Sequence, residues 1–257
     1  MCLIGFSWKQ HPVYKLVLVA NRDELYQRPT QALHFWESDP GLLAGKDLEG
    51  GGTWLGIHQQ GRFAALTNYR DPAHILPQAP SRGDLPLQYL VRASPPAQYL
   101  EALMSKAQAY NGFNLLVSDL ESLCYYSNYA EGYQVLPPGL YGLSNHLLDT
   151  DWFKVRRLKA KLQQVLQDKN PEDTALLALM HDPSPPAQEA DIQQTGLSLA
   201  QERMLAPMFI QSPHYGTHST TVVKIDYDHN IQLTEKVYSN AYRGEQIHSF
   251  SLSASLG

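Results

Sequence analysis

Cys2-Leu3-Ile4-Gly5-Phe6-Ser7-Trp8 and Lys15-Leu16-Val17-Leu18-Val19-Ala20-Asn21 are the two stretches that decide how this chain folds. Both are apolar runs of strand length. The residues between them, Lys9 to Tyr14, include His11-Pro12, a turn signal. Together they predict an antiparallel hairpin at the start of the chain. Leu16 to Ala20 is continuously apolar, as a strand covered on both faces is. Pairing Trp8 with Lys15 predicts a register that sets Cys2 opposite Asn21, beside Arg22 and Asp23.

That register gives Cys2 a chemical setting. Cys2 follows Met1 directly, and methionine aminopeptidases remove an initiator that precedes a small side chain. Removal leaves a thiol and a free α-amine on one residue, and the amine titrates at roughly 7.7–8.0. Such an amine is able to deprotonate its own thiol, the self-contained unit of N-terminal-nucleophile catalysis. Arg22 favours the thiolate, as a neighbouring cation does. Asp23 is placed to accept a hydrogen bond from the α-amine. Met-Cys alone begins many chains without this chemistry, and a retained Met1 locks the amine into a peptide bond. A surface turn also accounts for polar residues after a strand, but gives no reason for Cys2 to face them.

Further strands are predicted at 53–57, 62–67, 114–119, 123–127, 139–143, 220–227 and 231–238. Gly50-Gly51-Gly52 marks a bend or a close backbone approach, since it lacks the Lys-Ser/Thr of a phosphate loop. Helices fall mainly in the middle of the chain. Ser94-Pro95-Pro96 opens one over 97–109, with Ser94 as its cap. Asp149-Thr150-Asp151 opens another from Trp152 to about Gln167, with Val155, Leu158, Leu162 and Val165 on one face. Residues 171–180 and 197–205 read as shorter helices. Strands at both ends with helices between predict an α+β fold, two antiparallel sheets with helices packed outside. No composition shift divides the chain, so it reads as a single domain over 1–257.

At 43% apolar and 18% charged, the 257 residues have the composition of a soluble globular protein. A net charge of −5 and the lack of a basic run argue against nucleic-acid or anionic-membrane partners. No apolar stretch predicts an integral membrane segment or a secretory leader. The two cysteines, Cys2 and Cys124, fit a reducing cytoplasm, and Cys124 reads as a buried small hydrophobe. His34, His58, His74 and His181 show no metal-ligand spacing, so no metal site is expected. Trp36, Trp54, Tyr69 and Tyr141 read as core or pocket wall.

Three strand ends carry polar clusters: Thr67-Asn68-Tyr69-Arg70, Ser144-Asn145-His146 and Thr217-His218-Ser219. Converging on the hairpin end, their amides and backbone N–H groups are the donors that an acyl-transfer oxyanion needs. Asn is also a routine turn residue, and each cluster alone reads as well as structure.

Asn21-Arg22-Asp23-Glu24 is the signature that names the NRDE family, also called the transport and Golgi organisation protein 2 family, and the chain resembles that family nearly end to end. The matching blocks are Met1-Cys2, Leu18 to Glu24, Gly51-Gly52-Thr53-Trp54-Leu55-Gly56 and Leu66-Thr67-Asn68-Tyr69-Arg70. They continue through Ser81-Arg82-Gly83, Tyr110 to Leu116, Gly142-Leu143-Ser144-Asn145 and Tyr215-Gly216-Thr217. Asp151-Trp152-Phe153 replaces a usual Pro-Trp-Pro, and His218 stands where the family commonly has Arg.

The family in turn resembles the N-terminal-nucleophile hydrolases of the bile-salt hydrolase and penicillin V acylase group, which implies a four-layer αββα sandwich. The resemblance implies Cys2 as nucleophile and Arg22 and Asp23 as its partners. It implies Asn68 as the residue whose backbone N–H holds the oxyanion, and Asn145 as the one that adds a side-chain amide. His218 falls near a second Arg of those enzymes. The expectation is a cysteine amidohydrolase-like protein acting on a linear amide or related acyl substrate after Met1 removal, with no cofactor. The alternative implied by the family is a non-catalytic haem-trafficking or acyl-CoA or lipid carrier using the same pocket. Cys2, His146 and His218 are then the haem-ligand candidates.

Overall fold

The computed structural model describes residues 2–241 and 243–255. The hairpin forms from β1 (Cys2–Trp8) and β2 (Tyr14–Leu25). Its register is one residue from the expected one: Trp8 pairs with Leu16, and Cys2 lies opposite Arg22, not Asn21. The turn is the reason. Lys9 adopts a left-handed φ of 50° and its N–H bonds the Lys15 carbonyl at 2.7 Å, so Lys15 closes the loop. A slip of one residue exchanges the two faces of a strand. Cys2 and Arg22 therefore share the face of Ile4, Phe6, Leu18 and Ala20, while Asn21 joins Leu3, Val17 and Val19 on the other.

Among the described residues, one sheet has the order β10 (Gly139–Leu143), β1, β2, β11 (Tyr215–Asp226), β12 (Asn230–Val237), β13 (Gln246–Ser253). The other runs from β3 (Thr30–Trp36) through β4 (Asp39–Asp47), β5 (Leu55–His58), β6 (Arg62–Asn68), β7 (Phe113–Ser118) and β8 (Leu123–Ser127) to β9 (Tyr133–Val135). Neighbouring strands pair antiparallel, as in β1–β2 and β6–β7. Ile4, Phe6, Leu18, Phe63, Leu116 and Val223 fill the space between the sheets. Helices α1 (Asp84–Val91) and α2 (Pro96–Met104) cover the outer face of the second sheet through Leu85, Tyr89 and Leu100. Helices α3 (Phe153–Val165) and α4 (Asp173–Met180) cover the first through Leu158, Leu162 and Leu176. This is the αββα order that the resemblance implied. Central strands feed a core on each face, which explains the unbroken apolar run in β2.

The sequence reading passed over β3, β4, β9, β13 and α1. In β13 exposed and half-buried residues alternate on a sheet edge, with Ser249, Ser251 and Ser253 among the outer residues, so little hydrophobic signal remains. Helix α1 is short and has no side-chain cap to announce its start. The helix expected over 97–109 ends at Met104 and is followed by a 3₁₀ turn at Ala107–Ala109. Pro95 is its N-cap, and Ser94 Oγ donates instead to Gln98 Oε1 at 3.2 Å. Asp149 likewise caps no helix: at φ 55° its carboxylate accepts the Gly142 N–H at 2.8 Å. Helix α5 (Leu199–Leu205) starts from a capping box between Ser198 and Gln201.

The glycine triplet is a close approach. A Cβ on Gly52 would lie 2.3 Å from the Gly83 carbonyl carbon, and Thr53 N–H bonds the Gly83 carbonyl at 3.1 Å. Because the obstacle is backbone, Gly52→Ala is expected to cost about 1–3 kcal/mol. Urea unfolding with an unchanged m-value checks it.

Candidate functional site

The open end of the β1–β2 hairpin faces a cavity of about 360 Å³. Cys2, Arg22 and Asp23 supply the wall from one sheet; Thr53, Trp54, Leu66 and Asn68 supply it from the other. Arg82 closes a further side, its Nη1 donating to the Gly112 carbonyl at 3.0 Å. Of the candidates, then, Cys2, Arg22, Asp23 and Asn68 share one cavity. Asn145 and His218 lie outside its lining.

Arg22 is buried, with its guanidinium carbon 4.2 Å from the centre of the Trp54 ring, a cation–π contact. Its Nη1 donates to His218 Nδ1 at 3.2 Å, and its Nη2 lies 3.8 Å from Asp47 Oδ2. Burial raises the Cys2 thiol above its ordinary pKa; Asp23 adds to the rise and Arg22 opposes it. Burial wins, so the resting thiol is protonated and needs a base before it attacks.

Asp23 projects from the other face of β2, where its Oδ1 accepts the Thr217 hydroxyl at 2.7 Å. Burial raises its carboxyl, against the fields of Lys154 and Arg70 and the Thr217 hydrogen bond. Lys154 was missed by the sequence reading. It lies on α3 four residues before Leu158, within the apolar stripe, and a lysine in a stripe is the signal that was available. Its Nζ is buried and donates to the Leu205 carbonyl at 3.1 Å. Burial first, then Arg70, depress it to about 7, while Asp23, Cys2 and Glu202 oppose the shift.

The depressed value has a sign. Between about 7 and 10.5 the unfolded chain carries a proton on Lys154 that the folded chain does not. Stability therefore rises with pH through that window, and below it the burial penalty is fully present. Lys154→Met is expected to flatten this rise relative to the natural chain. Chemical denaturation at pH 7 and pH 9.5 measures the difference.

A buried polar chain runs from α5 to Asn68. Glu202 Oε1 accepts the N–H and hydroxyl of Thr195, each at 2.6 Å, and Oε2 accepts Arg70 Nη1 at 3.1 Å. Arg70 Nη2 donates to Asn145 Oδ1 at 3.3 Å, and Asn145 Nδ2 donates to the Asn68 carbonyl at 3.0 Å. The Asn145 amide thus reaches the cavity through Asn68. On β6, Leu66 N–H bonds Trp54 on the β5 side and Tyr69 N–H bonds Gly112 on the β7 side. By the same alternation the Asn68 N–H faces the side on which β5 has ended, where the cavity begins. Two of the three strand-end clusters join the hairpin end, Thr67 Oγ1 donating to the Ser144 carbonyl at 2.6 Å and Ser144 Oγ to the Cys2 carbonyl at 3.3 Å, while His218 of the third lines a separate cavity.

The haem-ligand candidates occupy separate surroundings. Cys2 faces the first cavity. His218 lines a second one on the far side of Arg22, and His146 bonds Thr150 Oγ1 at 2.8 Å beside the Tyr69 ring. Cys124, on β8, is buried in the core under α1 and α2, its thiol pushed up to about 11 by burial.

The family model described as transport and Golgi organisation 2 matches residues 1–240. The transport and Golgi organization protein 2 homologs of Bos taurus and Homo sapiens are 37% and 36% identical to the chain, each alignment covering 92% of both sequences. The Drosophila melanogaster protein is 25% identical over 92% of both. Among solved structures, the C2A mutant of conjugated bile acid hydrolase from Clostridium perfringens aligns at a TM-score of 0.49 with 10% identity, covering 100% of this chain and 98% of that one. The Caenorhabditis elegans N-acylethanolamine-hydrolyzing acid amidase ortholog aligns at 0.43 with 8% identity, covering 86% and 92%.

Proposed function

The chain belongs to the transport and Golgi organisation 2 family, and from that membership and the cavity at the hairpin end we propose a cysteine hydrolase of a linear amide or related acyl bond. The observation that supports the reading is the placing of Cys2, Arg22, Asp23 and Asn68 around one cavity of about 360 Å³, the size of a small-molecule site.

Once Cys2 is N-terminal, its α-amine takes the Sγ proton and the thiolate attacks the substrate carbonyl carbon. The C–S bond forms and the carbonyl electrons move to oxygen, where the Asn68 N–H receives the charge. The α-ammonium protonates the leaving nitrogen as the C–N bond breaks. Water, deprotonated by the amine, then adds to the thioester and releases the acid and the thiol. Arg22 lowers the cost of the thiolate, and Asp23 orients the amine. Asn145 is a positioning residue, holding the end of β6. No helix among the described residues is long and apolar enough to cross a membrane. We place the reaction in a reducing compartment such as the cytoplasm, which keeps Cys2 a thiol.

Intact mass before and after a brief iodoacetamide pulse tests the proposal. The expected result is a chain beginning at Cys2 that takes one label there and none on Cys124. A Cys2 that carries a free α-amine yet labels no faster than Cys124 overturns it. The carrier reading predicts instead a stoichiometric complex without turnover, with a Soret band if the cargo is haem.

A further inference from the structure

His218 sits in a β-bulge. Thr217 pairs with Asp23 and Ser219 with Arg22, leaving His218 as the extra residue of β11. Bulges re-aim side chains beside functional sites, and this one turns the imidazole toward Arg22. A guanidinium has only donors, so the 3.2 Å contact from Arg22 Nη1 makes His218 Nδ1 an acceptor and puts the ring proton on Nε2. That Nε2–H is buried, the residue being 1% exposed, and it has no hydrogen-bond partner among the described residues. An orphaned buried donor is costly and calls for an explanation.

The second cavity, also about 360 Å³, supplies one. It is lined by His218, Arg22, Arg28, Tyr26, Arg243 and Glu235, among others. Arg28 is neutralised by Asp47 and Glu49 at 2.8 and 3.1 Å. Arg243 has no ion pair among the described residues; its Nη2 donates to the Tyr26 carbonyl at 3.4 Å. Among the described residues Arg22 has one ion-pair partner, Asp47, at 3.8 Å. Glu235 brings one carboxylate, whose Oε2 accepts the Leu33 N–H at 2.7 Å. Tyr26 stacks on the imidazole with ring centres 5.7 Å apart. The lining therefore brings together an imidazole with an unused N–H, the Arg22 and Arg243 guanidinium groups, and the Glu235 carboxylate.

We propose that this second cavity binds a carboxylate, received by His218 Nε2–H and Arg243, and that the substrate cleaved at Cys2 carries that carboxylate. A carboxylate accepts an imidazole N–H and matches the planar guanidinium fork. Arg22 is the shared wall, lining both cavities, so the anion and the scissile bond lie on its two sides. The substrate clause rests on the acyl-transfer reading; binding of the anion does not.

The test is titration of the natural protein, labelled with ¹⁵N at histidine, with propionate and with its neutral isostere propionamide at matched ionic strength. The expected result is a saturable shift of the His218 Nε2–H resonance with millimolar propionate and none with propionamide. Arg243→Gln is expected to weaken propionate about tenfold. No propionate shift, or an equal one with propionamide or in the variant, overturns the proposal. Turnover of amides by a protein that does not bind propionate overturns it while sparing the acyl-transfer reading. Propionate binding in a protein without amidase activity supports the anion site and removes the substrate clause alone.

Discussion

Cys2→Ala is expected to lower amide turnover by at least about 10³-fold, the scale on which loss of a nucleophile is felt. The protein should stay folded, because the change removes one sulfur from the end of a strand that remains paired with β2 and β10. A stability loss of about 1 kcal/mol is the expected scale for a small deletion at a buried position. Cys124→Ala should leave turnover unchanged, since that thiol packs in the core behind the second sheet. Comparing the two variants by kcat and by thermal melting separates chemistry from folding. Equal loss of turnover in both would mean that neither thiol is the nucleophile.

The largest stability effect belongs to the Arg70–Glu202 pair, 3.1 Å apart with side chains 5% and 3% exposed. Removing one partner of a buried pair costs about 3–5 kcal/mol, because the other charge stays buried without its counter-charge at that position. Glu202→Leu should be the worse of the two single changes. It takes away one of the two carboxylates, Glu202 and Asp23, whose fields favour the charges of both Arg70 and the buried Lys154. Arg70→Leu leaves Glu202 to pair with Lys154. A drop in melting temperature of roughly 10 °C is expected for Glu202→Leu. The double replacement should be milder than the sum, and a double-mutant cycle reads the coupling. Because the same chain ends on Asn145 and Asn68, either single change should also slow turnover in the protein that remains folded at low temperature.

The αββα layering was legible because β1, β2, β6 and β7 are short apolar runs whose successive residues fill two different cores. The candidate site was legible in part for a related reason: Cys2, Arg22 and Asp23 lie at the end of one hairpin, and local pairing brings them together. Even there the sequence by itself left the register one residue off, since the left-handed Lys9 that sets the turn has no glycine to announce it. Asn68 was legible as a polar strand end, and its partners were not.

Local chemistry, the hairpin and the thiol beside a guanidinium and a carboxylate, is what the sequence alone determined. Tertiary structure alone decided that Lys154, Arg70 and Glu202 stand behind Asp23, and that His218 turns through a bulge into a separate cavity. Those residues come from α3, the end of β6, α5 and β11. A buried charge chooses its neighbours by burial and by the field of other charges, and neither quantity exists until distant segments have packed.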